Sequence, residues 1–251
     1  MAPTCRPLST YDELLDAAGG DPFVRWEVPA GRQVEGWALA DGGVAFLRAT
    51  PSRRRQLAVV GTPRAALPAL RSYLDGALAG LDRGVTVPRG TLDLLGPDPR
   101  VGSGDDWEWM WTTTAPPADP DVVVLGPADH DDIAALLAAA SPRHSATIRD
   151  EDVVRWAGVR DEDGRLVACG AHTEHVPGVP HLASIATHPS VRGRGLGAAV
   201  TGRLTRWALD AGAPAVTLGM YSDNSVARRM YARLGFRCAH RWSSRRVLPR
   251  P

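Results

Sequence analysis

The sequence has little of several residue types and patterns that would assign a function at once. Three cysteines, Cys5, Cys169 and Cys238, lie far apart among 251 residues and form no C-x-x-C pair. We therefore expect three separate thiols in a reducing compartment rather than a disulfide framework. The formal net charge is only +1. A charge this small provides no global field that would attract nucleic acid or an acidic membrane, so neither is expected as a partner.

Long apolar runs are also missing. None approaches the length of a membrane span, and the N-terminus has no apolar core of signal-peptide length. A cytoplasmic protein is therefore expected.

The seven histidines show no ligand-like spacing with carboxylates or thiols, so no metal site is predicted. The chain is 44% hydrophobic and 23% charged, which is typical of a globular protein of one large or two ordinary domains.

Residues 1–115 are predicted to form a divergent N-terminal α/β domain. Its predicted elements are a helix over residues 11–18, a hairpin over 36–47 and a helix from Pro63 with leucines on one face up to Leu81. Trp107, Trp109 and Trp111 alternate, so on a strand they would share one face. They could line a ligand groove, but packing against a helix or the second domain is favoured, because aromatic side chains bury much area in cores.

Residues 116–121 form the clearest linker. Pro116, Pro117 and Pro120 suit neither a helix nor a central strand. We place the domain boundary here, with a second domain over residues 122–251.

The second domain is predicted to alternate strands and helices. The predicted elements are a strand over 122–125, a helix carrying Ile133, Leu136 and Leu137, a short helix over 150–156, strands over 165–174, 182–187 and 215–220, and helices after Gly195 and from Asn224.

A glycine-rich turn follows the strand at 182–187. In Arg192-Gly193-Arg194-Gly195-Leu196-Gly197 the glycines expose backbone N–H groups, and the helix that follows directs its positive end at the same place. A pyrophosphate is the natural ligand of such a turn.

Two nucleotide-bearing ligands fit that turn. Gly193-x-Gly195-x-x-Ala198 formally satisfies the dinucleotide fingerprint. That fingerprint expects the strand to run directly into the first glycine, but residues 188–192 intervene. It also expects an acidic ribose partner after the next strand, whereas Asp210 falls in a helix. The dinucleotide interpretation is therefore weak.

The other interpretation is a resemblance to the GNAT acyltransferase superfamily. Arg192, Gly195 and Gly197 match its Arg-x-x-Gly-x-Gly acetyl-CoA loop, and residues 224–236 match its Asn-x-x-Ala…Tyr-x-x-Leu-Gly-Phe ending. The resemblance covers about residues 122–246. It implies an α/β fold with a mixed, splayed central sheet flanked by helices, and the whole chain resembles two-part members whose N-terminal half is a degenerate GNAT-like domain.

The resemblance also implies roles for individual residues. Tyr231 would protonate the departing CoA thiolate, and Asn224 would touch the cofactor. The backbone of Ile185, Ala186 and Thr187 would pair with the pantetheine arm. The pyrophosphate would be cradled by Arg192, Gly193, Arg194, Gly195, Leu196, Gly197 and Ala198.

The sequence departs from many family members, which carry a glutamate on one of the two splayed strands. Here those strands hold Ser184, Ala186 and Thr187 on one and Gly219 on the other. We predict Glu174, at the end of the preceding strand, as the general base, with His172, His175 and His181 as alternatives.

The predicted reaction is transfer of acetyl from acetyl-CoA to a primary amine, by direct attack in a ternary complex without a covalent enzyme intermediate. A small amine, an aminoglycoside-like molecule, an amino acid and a peptide N-terminus are all open as acceptors. The missing strand glutamate keeps a second hypothesis open: a non-catalytic acyl-CoA-binding sensor or scaffold.

Overall fold

A computed structural model describes residues 6–49, 55–76, 84–117 and 121–248 of the chain. The strands, in chain order, are β1 (Arg6–Thr10), β2 (Gln33–Ala38), β3 (Val44–Ala49), β4 (Arg55–Val60), β5 (Gly84–Pro88), β6 (Asp106–Thr112), β7 (Val123–Leu125), β8 (Val153–Arg160), β9 (Leu166–Val176), β10 (Val179–Thr187), β11 (Val216–Tyr221) and β12 (Arg237–Arg246). The α-helices are α1 (Tyr11–Ala17), α2 (Pro22–Glu27), α3 (Pro63–Leu74), α4 (Thr91–Leu95), α5 (His130–Ala140), α6 (Leu196–Asp210) and α7 (Ser225–Arg233). Among these helices none is long and apolar enough to cross a membrane.

The chain divides into two compact units. Unit 1 comprises Met1–Trp109, Met220–Asp223 and Cys238–Pro251, and unit 2 comprises Met110–Gly219 and Asn224–Arg237. This division does not follow the linker predicted at residues 116–121, of which 118–120 lie outside the described residues. The first boundary falls between Trp109 and Met110, and β12, at the end of the chain, pairs antiparallel with β5 and so belongs to unit 1.

Unit 1 is a sheet with helices packed on it. Its strands follow the order β1-β2-β3-β4-β5-β12. Helix α3 begins where Thr62 accepts a hydrogen bond from the Ala65 N–H (3.2 Å), and its apolar face lies in the core with β4 and β5. The helix ends at Leu74 with Asp75 as its C-cap, short of the predicted end at Leu81, and residues 77–83 lie outside the described chain.

The alternating tryptophans lie on β6, as the spacing predicts. Trp109 is completely buried; its ring packs edge-on against Phe23 of α2 at 5.4 Å between centroids, and its Nε1 donates to Glu27 Oε1 (2.8 Å). Trp107 Nε1 donates to Ser244 Oγ (2.8 Å). In unit 1 these two side chains have packing and hydrogen-bonding roles.

Unit 2 is a mixed sheet between two helices. Its strands follow the order β11-β10-β9-β8-β7, with β10 parallel to β11 and the other pairs from β7 to β10 antiparallel. One face packs on α5 through Ile133 and Leu137. The other face carries α6, because a side chain added at Gly170 would meet Val200 and Leu204. The predicted α/β class, with a mixed sheet flanked by helices, is confirmed.

The short helix predicted over residues 150–156 is wrong. Asp150 instead lies between two turns. In the first its carboxylate accepts the Thr147 N–H (2.7 Å), and in the second its carbonyl accepts the Val153 N–H (3.2 Å). From Val153 the chain continues as β8, paired with β9. Its β-branched residues and the neighbouring strand favour the extended form, so tertiary pairing overrides an acidic start that resembles a helix N-terminus.

Candidate functional site

The two central strands of unit 2 separate from each other. The parallel pairing of β10 and β11 is limited to His181 with Thr217 and Leu182 with Leu218. Just beyond, the ladder between β10 and β9 shifts register between Ala183 and Ala186, which marks a bulge. A bulge re-aims the backbone of a strand, so β10 leaves β11 after Leu182 and opens a gap between the strands.

Ser184 holds the bulge in place. Its φ of 53° lies in the left-handed region that non-glycine residues rarely adopt. Its buried hydroxyl donates to the Ala146 carbonyl (2.9 Å) and accepts the Ala146 N–H (2.8 Å). These two bonds tie the segment between α5 and β8 to the bulge and offset a backbone strain of about 1–3 kcal/mol.

The predicted pantetheine residues lie on the separated part of β10. Backbone groups of Ile185, Ala186 and Thr187 on the β11 side make no ladder with β11 among the described residues. Such an unpaired strand edge can form main-chain hydrogen bonds with an extended ligand. The Thr187 hydroxyl faces α6, since a Cβ built on Gly197 would lie 3.3 Å from it.

The glycine-rich turn brings open N–H groups to the end of β10. Gly193 and Gly195 both have φ 82°, and a Cβ built on either meets nothing within 4 Å, so glycine is needed there for the backbone angle. Gly195 is the N-cap of α6 and supplies no side-chain cap. The N–H groups of Leu196, Gly197 and Ala198 in the first helical turn therefore lack intrahelical acceptors, and the helix dipole adds positive charge.

The two arginines of the turn behave differently. Arg192 donates from Nε to the Thr187 carbonyl (3.3 Å) and from Nη2 to the carbonyl of Ala140, the last residue of α5 (3.2 Å). Arg192 thus braces the turn against β10 and a helix C-terminus, where a cation is favourable. Arg194 is exposed and makes no hydrogen bond or ion pair within the described ranges. Its exposed guanidinium is therefore available to a ligand that binds the turn.

Helix α7 presents the second motif. Asn224 is its N-cap and accepts the Ala227 N–H (3.0 Å). At the other end Gly235, with φ 89°, donates to the Ala232 carbonyl (3.1 Å), and the Phe236 N–H bonds the Tyr231 carbonyl (3.0 Å). This is a Schellman cap, so the Leu-Gly-Phe ending has a structural reason: glycine supplies the left-handed residue that stops the helix.

The same cap buries Tyr231. The Phe236 ring lies 5.9 Å from the Tyr231 ring, the hydrophobic contact that commonly accompanies a Schellman cap, and Tyr231 is only 6% exposed. Burial raises the pKa of Tyr231 above its ordinary value of about 10, because it disfavours the charged phenolate. Tyr231 therefore stays protonated and can act as a proton donor.

Helix α7 lies against the first turn of α6. The Sδ of Met230, next to Tyr231, lies 3.5 Å from a Cβ built on Gly197.

Glu174 lies near the end of β9, one residue beyond Thr173, which pairs with His181 of β10. Its Oε1 lies 3.2 Å from His172 Nε2, and its Oε2 accepts the Gly178 N–H (3.2 Å) in the turn between β9 and β10. It is five residues beyond Cys169, which pairs with Ala186, so it lies about 17 Å along the strand from that pair at roughly 3.4 Å per residue. The structure therefore does not bring Glu174 together with the predicted pantetheine residues.

His181 is the alternative base that lies on β10 itself. It belongs to the paired rung just before the strands separate, and its Nδ1 lies 2.9 Å from Thr217 Oγ1. Thr217 Oγ1 donates its own proton to the Pro180 carbonyl (3.4 Å). The hydroxyl therefore accepts from His181 Nδ1–H, which leaves the imidazole lone pair on Nε2.

A second histidine and a carboxylate adjoin His181. The His175 ring lies 5.3 Å from the His181 ring, and His175 Nδ1 pairs with Asp152. His175 and His181 were predicted from the sequence as alternative bases, whereas Asp152, in the turn before β8, was not predicted.

Cys169 is fully buried, and burial raises the pKa of its thiol to about 12. A thiol that remains protonated is a poor nucleophile.

Residues 108–236 match the model of the Acetyltransferase (GNAT) family, which is slightly more than half of the chain. The chain belongs to this family. The match confirms the resemblance drawn from the two motifs and favours an acyltransferase over a dinucleotide-dependent enzyme.

One curated relative and two solved structures extend the comparison. The mycothiol acetyltransferase of Nocardia farcinica is 34% identical over 134 residues, which are 48% of this chain and 42% of that protein, so the match spans less than half of either. A GCN5-related N-acetyltransferase from Sphaerobacter thermophilus has a TM-score of 0.56 at 19% identity and covers 95% of this chain and 90% of its own. A GNAT-family acetyltransferase from Colwellia psychrerythraea has a TM-score of 0.53 at 15% identity, with 97% and 99% coverage. At these identities the two structures support the fold alone.

Proposed function

We propose that this protein transfers an acetyl group from acetyl-CoA to a primary amine. The observation that supports this best is the combination, in one unit, of a bulged strand with an open edge and a glycine-rich helix N-terminus at the end of that strand. An extended thioester ending in a pyrophosphate matches both features. The family match supports acetyl transfer as the reaction.

The turn and the strand edge have separate tasks in this proposal. The N–H groups of the first turn of α6 and the Arg194 guanidinium would bind the pyrophosphate oxygens, while Arg192 holds the turn in position. The backbone of residues 185–187 would bind the pantetheine arm as an added strand. Asn224 keeps its amide N–H groups for the ligand, because only its oxygen is used in capping α7.

The chemistry requires three groups of the protein. A backbone N–H at Ile185 or Ala186, freed by the bulge, would stabilise the oxyanion that forms when the amine attacks the thioester carbonyl. Tyr231 would donate its phenolic proton to the leaving thiolate, for which its raised pKa keeps it protonated.

The third group is a base for the incoming ammonium. We propose His181 Nε2, acting directly or through one water, in preference to Glu174, the base predicted from the sequence. His181 lies on β10 beside the start of the gap, and Thr217 orients its ring. The Asp152–His175 pair next to it would be a path for the proton to leave.

The acceptor is proposed from the comparison. The similarity to a mycothiol acetyltransferase makes that enzyme's acceptor the first to test, ahead of aminoglycosides, amino acids and peptide N-termini.

The test is release of the CoA thiol from acetyl-CoA, followed with each of these acceptors. We expect release that depends on one acceptor and yields an N-acetylated product by mass spectrometry. Saturable acetyl-CoA binding with no acceptor-dependent release across the panel would favour the sensor hypothesis instead.

A further inference from the structure

We propose that a second cleft in unit 2 binds a small zwitterion of the α-amino-acid type. The cleft has a volume of about 200 Å³. It lies on the α6 face of the sheet and is lined by the side chains of Arg155, His172, Glu174, Pro180, Trp207 and Ala208. Because pockets for drug-sized ligands measure about 300–1,000 Å³, this cleft suits a molecule of amino-acid size.

The cleft holds one positive and one negative side chain that are not paired with each other. No ion pair joins Arg155 to Glu174, or to any other carboxylate of the described residues. The Arg155 guanidinium is instead stacked on the Trp207 ring, 5.1 Å from its centroid. A ligand with a negative group and a positive group on separate atoms can pair with both of these side chains at once.

His172 adds no charge to the cleft at neutral pH. Burial lowers the pKa of His172, against the opposing effect of Glu174, so its ring is neutral above its ordinary value of about 6.5. The ring orients the Glu174 carboxylate by hydrogen bonding, and the Gly178 N–H holds the other oxygen. At neutral pH the charged groups of the cleft are therefore one cation, Arg155, and one anion, Glu174, whose two oxygens are held in place.

The remaining walls are apolar. They are Trp207 and Ala208 near the end of α6, its C-cap residue Ala211, and Pro180 at the start of β10. A carboxylate on Arg155 and an ammonium on Glu174 would leave a side chain against these residues. The ligand class that combines all three contacts is an α-amino acid with a small or apolar side chain.

This cleft is separate from the proposed base and from the glycine-rich turn. It is lined by His172 and Glu174, whereas His181 pairs with Thr173, whose side chain alternates to the other face of the sheet. The cleft lies at the C-terminal end of α6, whereas the glycine-rich turn lies at the N-terminal end, and 15 helical residues span about 22 Å. Binding in the cleft does not depend on the proposed function.

The test is isothermal titration of the full chain with glycine, L-alanine and L-leucine, and with acetate and methylamine as single-charge probes. We expect saturable binding of at least one amino acid, and affinity at least about tenfold lower for either single-charge probe, as for loss of one charged hydrogen bond. Arg155→Gln and Glu174→Gln should each weaken amino-acid binding by a similar factor.

Arg203→Gln is the matched control. Arg203 also stacks on Trp207, at 4.8 Å, but does not line the cleft, so its removal should leave the affinity unchanged. Equal affinity of wild type, Arg155→Gln and Glu174→Gln would overturn the proposal, as would no saturable binding of any amino acid to the folded protein. If the bound amino acid is itself acetylated and Arg155→Gln abolishes that product, the cleft is an acceptor site and the second-site assignment is wrong.

Discussion

At the scale of single residues, Tyr231 shows how packing can prepare a proton donor. The phenol is buried by the cap that ends α7, and burial keeps it protonated well into the alkaline range. We predict that Tyr231→Phe lowers kcat by roughly 10²-fold, the lower end of what general acid catalysis contributes. The KM for acetyl-CoA should stay within about twofold, because the ring packing on Phe236 is retained. Steady-state thiol release measures both, and a kcat equal to wild type would remove Tyr231 from the mechanism.

His181 and Glu174 give the second prediction at this scale. If His181 Nε2 accepts the amine proton, His181→Gln should lower kcat by roughly 10²-fold and by at least about tenfold more than Glu174→Gln does. Thr217 can still bond the glutamine amide, so the sheet should remain intact. Added imidazole should restore part of the rate to a His181→Ala variant. The reverse order of the two losses would return the role to Glu174.

At the scale of elements, the turn into α6 is best tested with two glycines that share one backbone angle. Gly195 has φ 82° and Gly164, in the turn between β8 and β9, has φ 78°, and a Cβ on either meets nothing within 4 Å. Alanine at either position should therefore cost about 1–2 kcal/mol of stability through the left-handed backbone alone. Gly195→Ala should in addition weaken acetyl-CoA binding at least about tenfold, whereas Gly164→Ala should not. Equal dissociation constants for the two variants would show that the turn does not contact the cofactor.

In unit 1, Arg100 links the end of α3 to the chain that follows α4. Its guanidinium bonds both oxygens of Asp98 (2.9 and 2.7 Å), the Leu74 carbonyl (3.0 Å) and Asp75 (2.8 Å). Hydrogen bonding from Arg100 lowers the pKa of Asp98 from 3.8 to about 2. A lowered carboxyl pKa stabilises the fold fully above about pH 4, and this stabilisation is lost as the pH falls through about 2.

Arg100→Gln should therefore lower the free energy of unfolding by about 1–3 kcal/mol at pH 7. The difference from wild type should shrink between about pH 4 and pH 2. Urea unfolding at several pH values measures it. A difference that stays constant with pH would mean that Arg100 acts through packing alone.

The elements that could be read from the sequence are those specified locally. Glycine at residues 193, 195 and 235 has a positive φ in each case, so the turn and the helix cap follow from residue type. The interpretation of residues 150–156 failed because the extended form of β8 depends on β9, a partner further along the chain. The choice between Glu174 and His181 as the base could not be made from the sequence, because the register that sets His181 opposite Thr173 and Thr217 depends on strand pairing.

At the scale of the whole molecule, the position of β12 in unit 1 could not be predicted from the order of residues along the chain. Prolines at residues 116 and 117 suggest a boundary, yet the last strand belongs to the unit that contains the start of the chain. Strand pairing across more than 140 residues depends on tertiary structure, which local propensity does not report. The two motifs of the candidate site lie within unit 2, so the proposal for that site does not depend on how the chain is divided.

The central claim is that unit 2 binds acetyl-CoA through the turn and the open edge of β10. The most direct measurement is thermal unfolding of the purified protein with acetyl-CoA, CoA and NAD(P)H in parallel. A ligand that binds only the folded state raises the midpoint by mass action, by an amount that grows with ligand concentration. We predict that both CoA species raise the Tm and that NAD(P)H does not. A rise with NAD(P)H alone, or with none of the three, would contradict the claim.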